Sequence, residues 1–169
     1  CGILFATGAI GTTALWSTSA ATVSGTFTTA NVKILADGSA THTFTFPGSL
    51  LPGDTTAAVV QVQNVGSIPF NYTASVSSNN TALGRGVTLT ARRGGTVSGS
   101  TCTGGTGITT ATNRTITDTS TVFYTTPALI PKQSGTENLC FQLNLPSNAP
   151  ANLAGAGGSV LFTFNATGA

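Results

Sequence analysis

Residues 137–145 read Glu-Asn-Leu-Cys-Phe-Gln-Leu-Asn-Leu. Leu139, Phe141, Leu143 and Leu145 fall on one parity, and Asn138, Gln142 and Asn144 fall on the other. A period of two is the signature of a strand with one buried face, because successive side chains leave a strand in opposite directions. The same pattern returns twice. Residues 56–64, TAAVVQVQN, put Ala58, Val60 and Val62 inward and Gln61 and Gln63 outward. Residues 159–167, SVLFTFNAT, put Val160, Phe162 and Phe164 inward.

Working outward from these three, more short strands follow. Residues 22–28 alternate weakly, and 31–36 carry Val32, Ile34 and Ala36 on one face. Residues 40–46 set Ala40, His42, Phe44 and Phe46 against threonines. Residues 68–76 align Ile68, Phe70, Tyr72, Ala74 and Val76, with Pro69 pointing to a sheet edge or a strand start. Residues 87–91 and 121–125 are shorter runs. Tight-turn signals punctuate the chain at Asp37-Gly38, Pro47-Gly48, Leu51-Pro52-Gly53-Asp54 and Val65-Gly66. Residues 77–86 read as polar loop. Residues 92–107, RRGGTVSGSTCTGGTG, read as a Gly/Ser/Thr-rich loop that Cys102 would pin. Residues 129–131 and 134–135 form a connection, and 146–158 a loop with one helical turn at 149–154. Eight or nine strands at this spacing, with no βαβ alternation, predict an all-β fold, an antiparallel β-sandwich spanning residues 21–169.

Composition narrows the function. Charged residues are 6% of the 169-residue chain, against roughly 25% in ordinary globular proteins. Net charge is +2, with no basic stripe interleaved with aromatics, so a nucleic-acid partner is not expected. Arg92-Arg93 is the only basic pair and reads as solvated. A surface so poor in charge is sticky if bare, which points to cover by other subunits or by sugar. The chain holds one histidine, His42, and four acids, Asp37, Asp54, Asp118 and Glu137. Asp37 and Asp54 sit in turn sequences. No zinc-ligand spacing, H-E-x-x-H or G-x-S-x-G is present, and the Gly-rich run at 94–107 follows no strand-to-helix switch. No catalytic residue, metal or cofactor is expected. Sequons occur at Asn71, Asn79, Asn113 and Asn165, though a Thr-rich chain generates them by chance.

Cys102 and Cys140 both fall inside the β-region, and a bridge between them is expected. Closing so long a loop contributes on the order of 4 kcal/mol in the chain-entropy account and implies an oxidising compartment. Cys1 is left over: a lipid-modified cysteine, an intermolecular thiol or a processing site.

The first sixteen residues, CGILFATGAIGTTALW, carry no charge. They look like the tail of a secretory apolar region, but are too broken by Gly8, Gly11, Thr12 and Thr13 to span a membrane. As a strand the stretch alternates, with Gly8 and Gly11 allowing close approach. It precedes what reads as a complete domain. Residues 1–20 are therefore read as donor strand and linker, with Ile3, Leu4, Phe5, Ala6, Ala9 and Ile10 entering another copy's sheet. The competing reading makes them the first strand of their own sandwich.

Two groups of motifs carry a family resemblance. The first runs from Ala14-Leu15-Trp16-Ser17 through Gly25–Val32 to Leu51-Pro52-Gly53-Asp54 and Val62–Ser67; the second joins Leu139–Pro146 to Val160–Phe164. Together they resemble the TasA/camelysin family of secreted fibre-forming proteins processed by a SipW-type signal peptidase, to which archaeal bundling pili are related. The resemblance implies a jelly-roll-like sandwich, export to the cell surface or medium, and assembly into biofilm-matrix fibres or pili by N-terminal donor strands. Part of that family has been labelled metallopeptidase; a chain with one histidine gives that label no support. The expected role is thus a filament subunit whose partners are other copies of itself, with cell envelope or matrix polysaccharide as further partners. The alternatives are a monomeric adhesin or glycan-binding module and, third, a secreted hydrolase. A glycan binder needs clustered exposed aromatics, and Trp16, Tyr72 and Tyr124 are scattered in sequence.

Overall fold

The structure, a computed structural model, describes residues 23–26, 34–36, 42–45, 51–78, 85–154 and 159–169, with side chains from Leu51 onward apart from Ser159. The donor stretch at 3–10, the domain division at 20–21, Trp16, the turns at Asp37-Gly38 and Pro47-Gly48, and Asn79 lie outside the described residues.

The described strands are β1 (Val23–Thr26), β2 (Ile34–Ala36), β3 (His42–Thr45), β4 (Thr55–Asn64), β5 (Phe70–Ser78), β6 (Thr88–Arg93), β7 (Thr96–Ser98), β8 (Thr101–Thr103), β9 (Thr106–Gly107), β10 (Arg114–Thr115), β11 (Thr121–Thr125), β12 (Thr136–Asn144) and β13 (Ser159–Gly168). They form two principal sheets. One has the order β1-β13-β5-β11, with β3 also on β13. The other has the order β10-β6-β12-β4-β2, with β9 also on β6. The result is the expected jelly-roll-like β-sandwich. The expected turn at 149–154 is a short 3-10 helix at Ala151–Leu153.

The core follows from the alternation. Val60 and Val62 of β4, Leu139, Phe141 and Leu143 of β12, and Val160, Phe162 and Phe164 of β13 are all buried. Phe141 stacks on Phe162 with ring centroids 4.2 Å apart, and Phe123 meets both rings edge-on. These three rings tie β11, β12 and β13, so they bind one sheet to the other. Buried Asn64 ends β4: its Nδ2 donates to the Ile68 and Ile130 carbonyls, and its Oδ1 accepts from the Gly66 amide. One amide thereby fixes both the turn after β4 and the 129–131 connection. Leu51-Pro52-Gly53-Asp54 is a closed turn. The Asp54 amide donates to the Leu51 carbonyl, the Leu51 amide donates to Asp54 Oδ2, and Gly53 has φ 94°, a left-handed conformation glycine adopts without strain.

One expectation carries an exception and another needs correction. The pairing is not wholly antiparallel: β1 runs parallel to β13, with Val23 opposite Phe164. One long edge of β13 is shared by two short strands, β3 over Ser159–Phe162 and β1 over Phe164–Thr167. Second, the expected loop at 92–107 is structured. β6 runs on to Arg93, and β7 and β8 form a hairpin with Val97 opposite Cys102.

Candidate functional site

Three features of the sandwich have functional potential: a polar cluster at one end, a hairpin latched to one face, and an open sheet edge.

Glu137 carries the end cluster. It shares the inward parity of Leu139 and Phe141 on β12, so its carboxylate is directed between the sheets, and its side chain is only 9% exposed. Tyr72 of β5 and Tyr124 of β11 come from the opposite sheet. Both hydroxyls donate to Glu137 Oε2, at 2.9 and 2.5 Å. Arg93, beside Leu139 in the β6–β12 register, donates from Nε to Oε1 at 3.0 Å. Burial, followed by the nearby carboxylate charge, raises the Tyr72 hydroxyl well above its ordinary pKa. Burial and the hydrogen bond to Glu137 raise that of Tyr124. The hydrogen bond to Glu137 raises the Arg93 guanidinium further. Both tyrosines thus keep their protons, and the carboxylate is held by three donors. The arrangement locks two sheets together; it presents no activated nucleophile.

This cluster corrects two readings of the sequence. Arg93 is an ion-pair partner, not a solvated charge, and Arg92 donates to the Gly104 and Gly105 carbonyls. Tyr72 and Tyr124 are not scattered: their rings lie 5.8 Å apart and both are buried. The parity of Glu137 with Leu139, Phe141 and Leu143 was the available signal, since an acid continuing an inward parity must find donors.

The latch is the Cys102–Cys140 disulfide, formed as expected with an S–S distance of 2.05 Å. Cys140 has outward parity on β12, yet is buried, so the β7–β8 hairpin covers the outer face of that sheet. The Cys102 amide donates to Gln142 Oε1, and the Thr55 and Ser100 hydroxyls meet at 2.9 Å. Covalent bridging of this kind is consistent with an oxidising, extracellular setting.

The open edge is β11. Its inner side pairs with β5, with a register shift between Val122 and Tyr124. No described strand pairs with its far side; there the Thr110 hydroxyl donates to the Phe123 carbonyl. An open groove runs along this edge, lined by Ile108, Thr110, Val122, Phe123, Tyr124 and Thr125. Val122 is 53% exposed, and no lining residue carries a charge.

Of the sequons, Asn71 is exposed at the start of β5, Asn113 is exposed in a turn with φ 50°, and Asn165 is half-buried within β13. Asp54 lies in its turn, and Asp118 faces Arg85 at 3.9 Å. His42 is a strand residue opposite Phe162. Among the described residues no group of three or more His, Cys, Asp or Glu side chains is placed to hold a metal, and no helix is long and apolar enough to cross a membrane.

No protein-family model matches the chain, and no curated protein matches it in sequence. Among solved structures, that of the infectious bursal disease virus Gx strain aligns with TM-score 0.42 and 11% identity over 80% of this chain and 31% of the other. The VP2 subviral particle of the same virus gives 0.41 and 12% over 80% and 31%. The ASH/PapD-like domain 7 of human CEP192 gives 0.25 and 11% over 75% and 84%. The chain therefore spans about a third of the length of the viral chains it matches.

Proposed function

We propose that this chain is the structural subunit of an extracellular filament, a biofilm-matrix fibre or pilus, joined by donation of its N-terminal strand, with no catalytic role. The observation that carries the reading is a division of labour along the chain. Residues from Val23 onward supply two sheets and a packed core, while residues 1–16 add an uncharged, alternating, apolar stretch. A strand of that character gains ladder partners and apolar cover from a neighbour's sheet. The TasA/camelysin resemblance supports the same reading and adds export. The disulfide fits assembly outside the cell, where a covalent latch protects a subunit that cannot be repaired. Sugar on Asn71 or Asn113, both exposed, and contact with envelope or matrix polysaccharide are secondary parts of the proposal.

The adhesin alternative is weakened by a specific observation. Tyr72 and Tyr124 are buried against Glu137, which removes them from any exposed aromatic platform.

The test compares the full chain with one lacking Cys1–Gly11. The full chain is expected to form filaments visible by electron microscopy, and the truncated chain to remain monomeric or aggregate without order. Filaments of the same subunit rise from the truncated chain would refute strand donation.

A further inference from the structure

We infer that the far edge of β11 is the acceptor for the N-terminal strand of a second copy of this chain. The inference rests on the donor-strand reading and names the surface that reading requires.

Topology places donor and acceptor at opposite edges. The order β1-β13-β5-β11 puts β1 at one side of its sheet and β11 at the other, about 14 Å apart at ordinary strand spacing. Residues 1–22 precede Val23 in the chain, so they are attached through β1, at the edge away from β11. A strand passed from the β1 side of one copy to the β11 edge of the next joins two different surfaces. Such a contact is heterologous, and where its rotation does not close on itself it propagates into an open filament.

The chemistry of the edge agrees. Thr-Val-Phe-Tyr-Thr, β11, contains no charge and no proline, the devices by which exposed edges are ordinarily protected. The groove beside it is uncharged and walled by Ile108, Phe123 and Val122. The donor candidate, residues 3–10, is also uncharged. Ionic residues on either side would carry a desolvation cost that this pair avoids. Length is sufficient as well. Eight extended residues span about 26 Å, more than the five of β11 need. Residues 11–22 add up to about 40 Å of connecting chain, enough to reach a neighbour.

The experiment uses the full chain in a Cys1→Ser background. Val122→Cys supplies one thiol, and Ile3→Cys, Phe5→Cys, Thr7→Cys or Ala9→Cys supplies the other. Oxidised filaments are expected to give a ladder of covalent multimers on a non-reducing gel for at least one donor position. Separately, Val122→Asp should leave the monomer folded, with unchanged melting temperature, and slow elongation by about tenfold or more, since a charge is placed in the joint. Filaments that need residues 1–11, yet give no ladder and elongate normally with Val122→Asp, would overturn the β11 assignment and leave strand donation standing. Filaments that form without residues 1–11 would overturn both.

Discussion

At the scale of single residues, the buried acid is the sharpest device in the molecule. Glu137 satisfies two tyrosine hydroxyls from the facing sheet. Glu137→Ala orphans both, and a buried unsatisfied hydroxyl costs about 1–3 kcal/mol, so a total loss of about 2–6 kcal/mol is expected in urea unfolding. Arg93→Ala removes the donor to Oε1 of a carboxylate only 9% exposed, which keeps its two tyrosine donors, so a loss of about 1.5–3 kcal/mol is expected. The pH dependence has a definite sign. The folded-state pKa of Tyr72 lies above that of the unfolded chain, about 10, so the unfolded state sheds the proton first. The stabilisation is present in full below about pH 10 and falls as pH rises beyond it, by about 1.4 kcal/mol per pH unit. Tyr72→Phe should make that alkaline limb shallower, leaving the part that the raised Tyr124 hydroxyl contributes, which thermal melts between neutral and alkaline pH would record. Little of this was legible in sequence. Alternation shows that Glu137 faces inward, but the tyrosines that receive it lie on β5 and β11, and their approach depends on how the two sheets stack.

At the scale of elements, the long strands and several short ones, β11 at Thr121–Thr125 among them, were readable, while the hairpin strands β7 and β8 were not. β4, β12 and β13 each bury one face, and an inward series such as Leu139, Phe141 and Leu143 leaves a clear period in the sequence. β7 and β8 are exposed apart from half-buried Cys102, so no apolar period marks them. Their signal was the two-residue Gly99-Ser100 linker, a hairpin turn with φ 63° at Gly99. What holds them down is the disulfide rather than a core. Reduction should therefore free the hairpin while the sandwich persists. We expect amides at 96–103 to lose hydrogen-exchange protection by tenfold or more, with β12 and β4 largely retained. Global unfolding on reduction would show instead that the latch supports the whole fold. The parallel β1–β13 pair was also hidden, because periodicity does not reveal which edge a four-residue strand joins.

At the scale of the whole molecule, the aromatic stack spans both sheets, so one truncation should be felt throughout. Phe162→Ala is expected to cost about 3–5 kcal/mol, with the loss appearing in a single cooperative transition. Charged residues are only 6% of the chain, and the far side of β11 pairs with no described strand. Such a surface is a liability for a solitary protein, but it suits a subunit that spends its life covered by copies of itself. The most direct test of that account is helical reconstruction of the assembled protein by electron cryo-microscopy. The account predicts continuous density carrying residues 3–10 out of one subunit and into the sheet of the next, beside β11. Density that returns residues 3–10 to the sandwich of their own chain would contradict it.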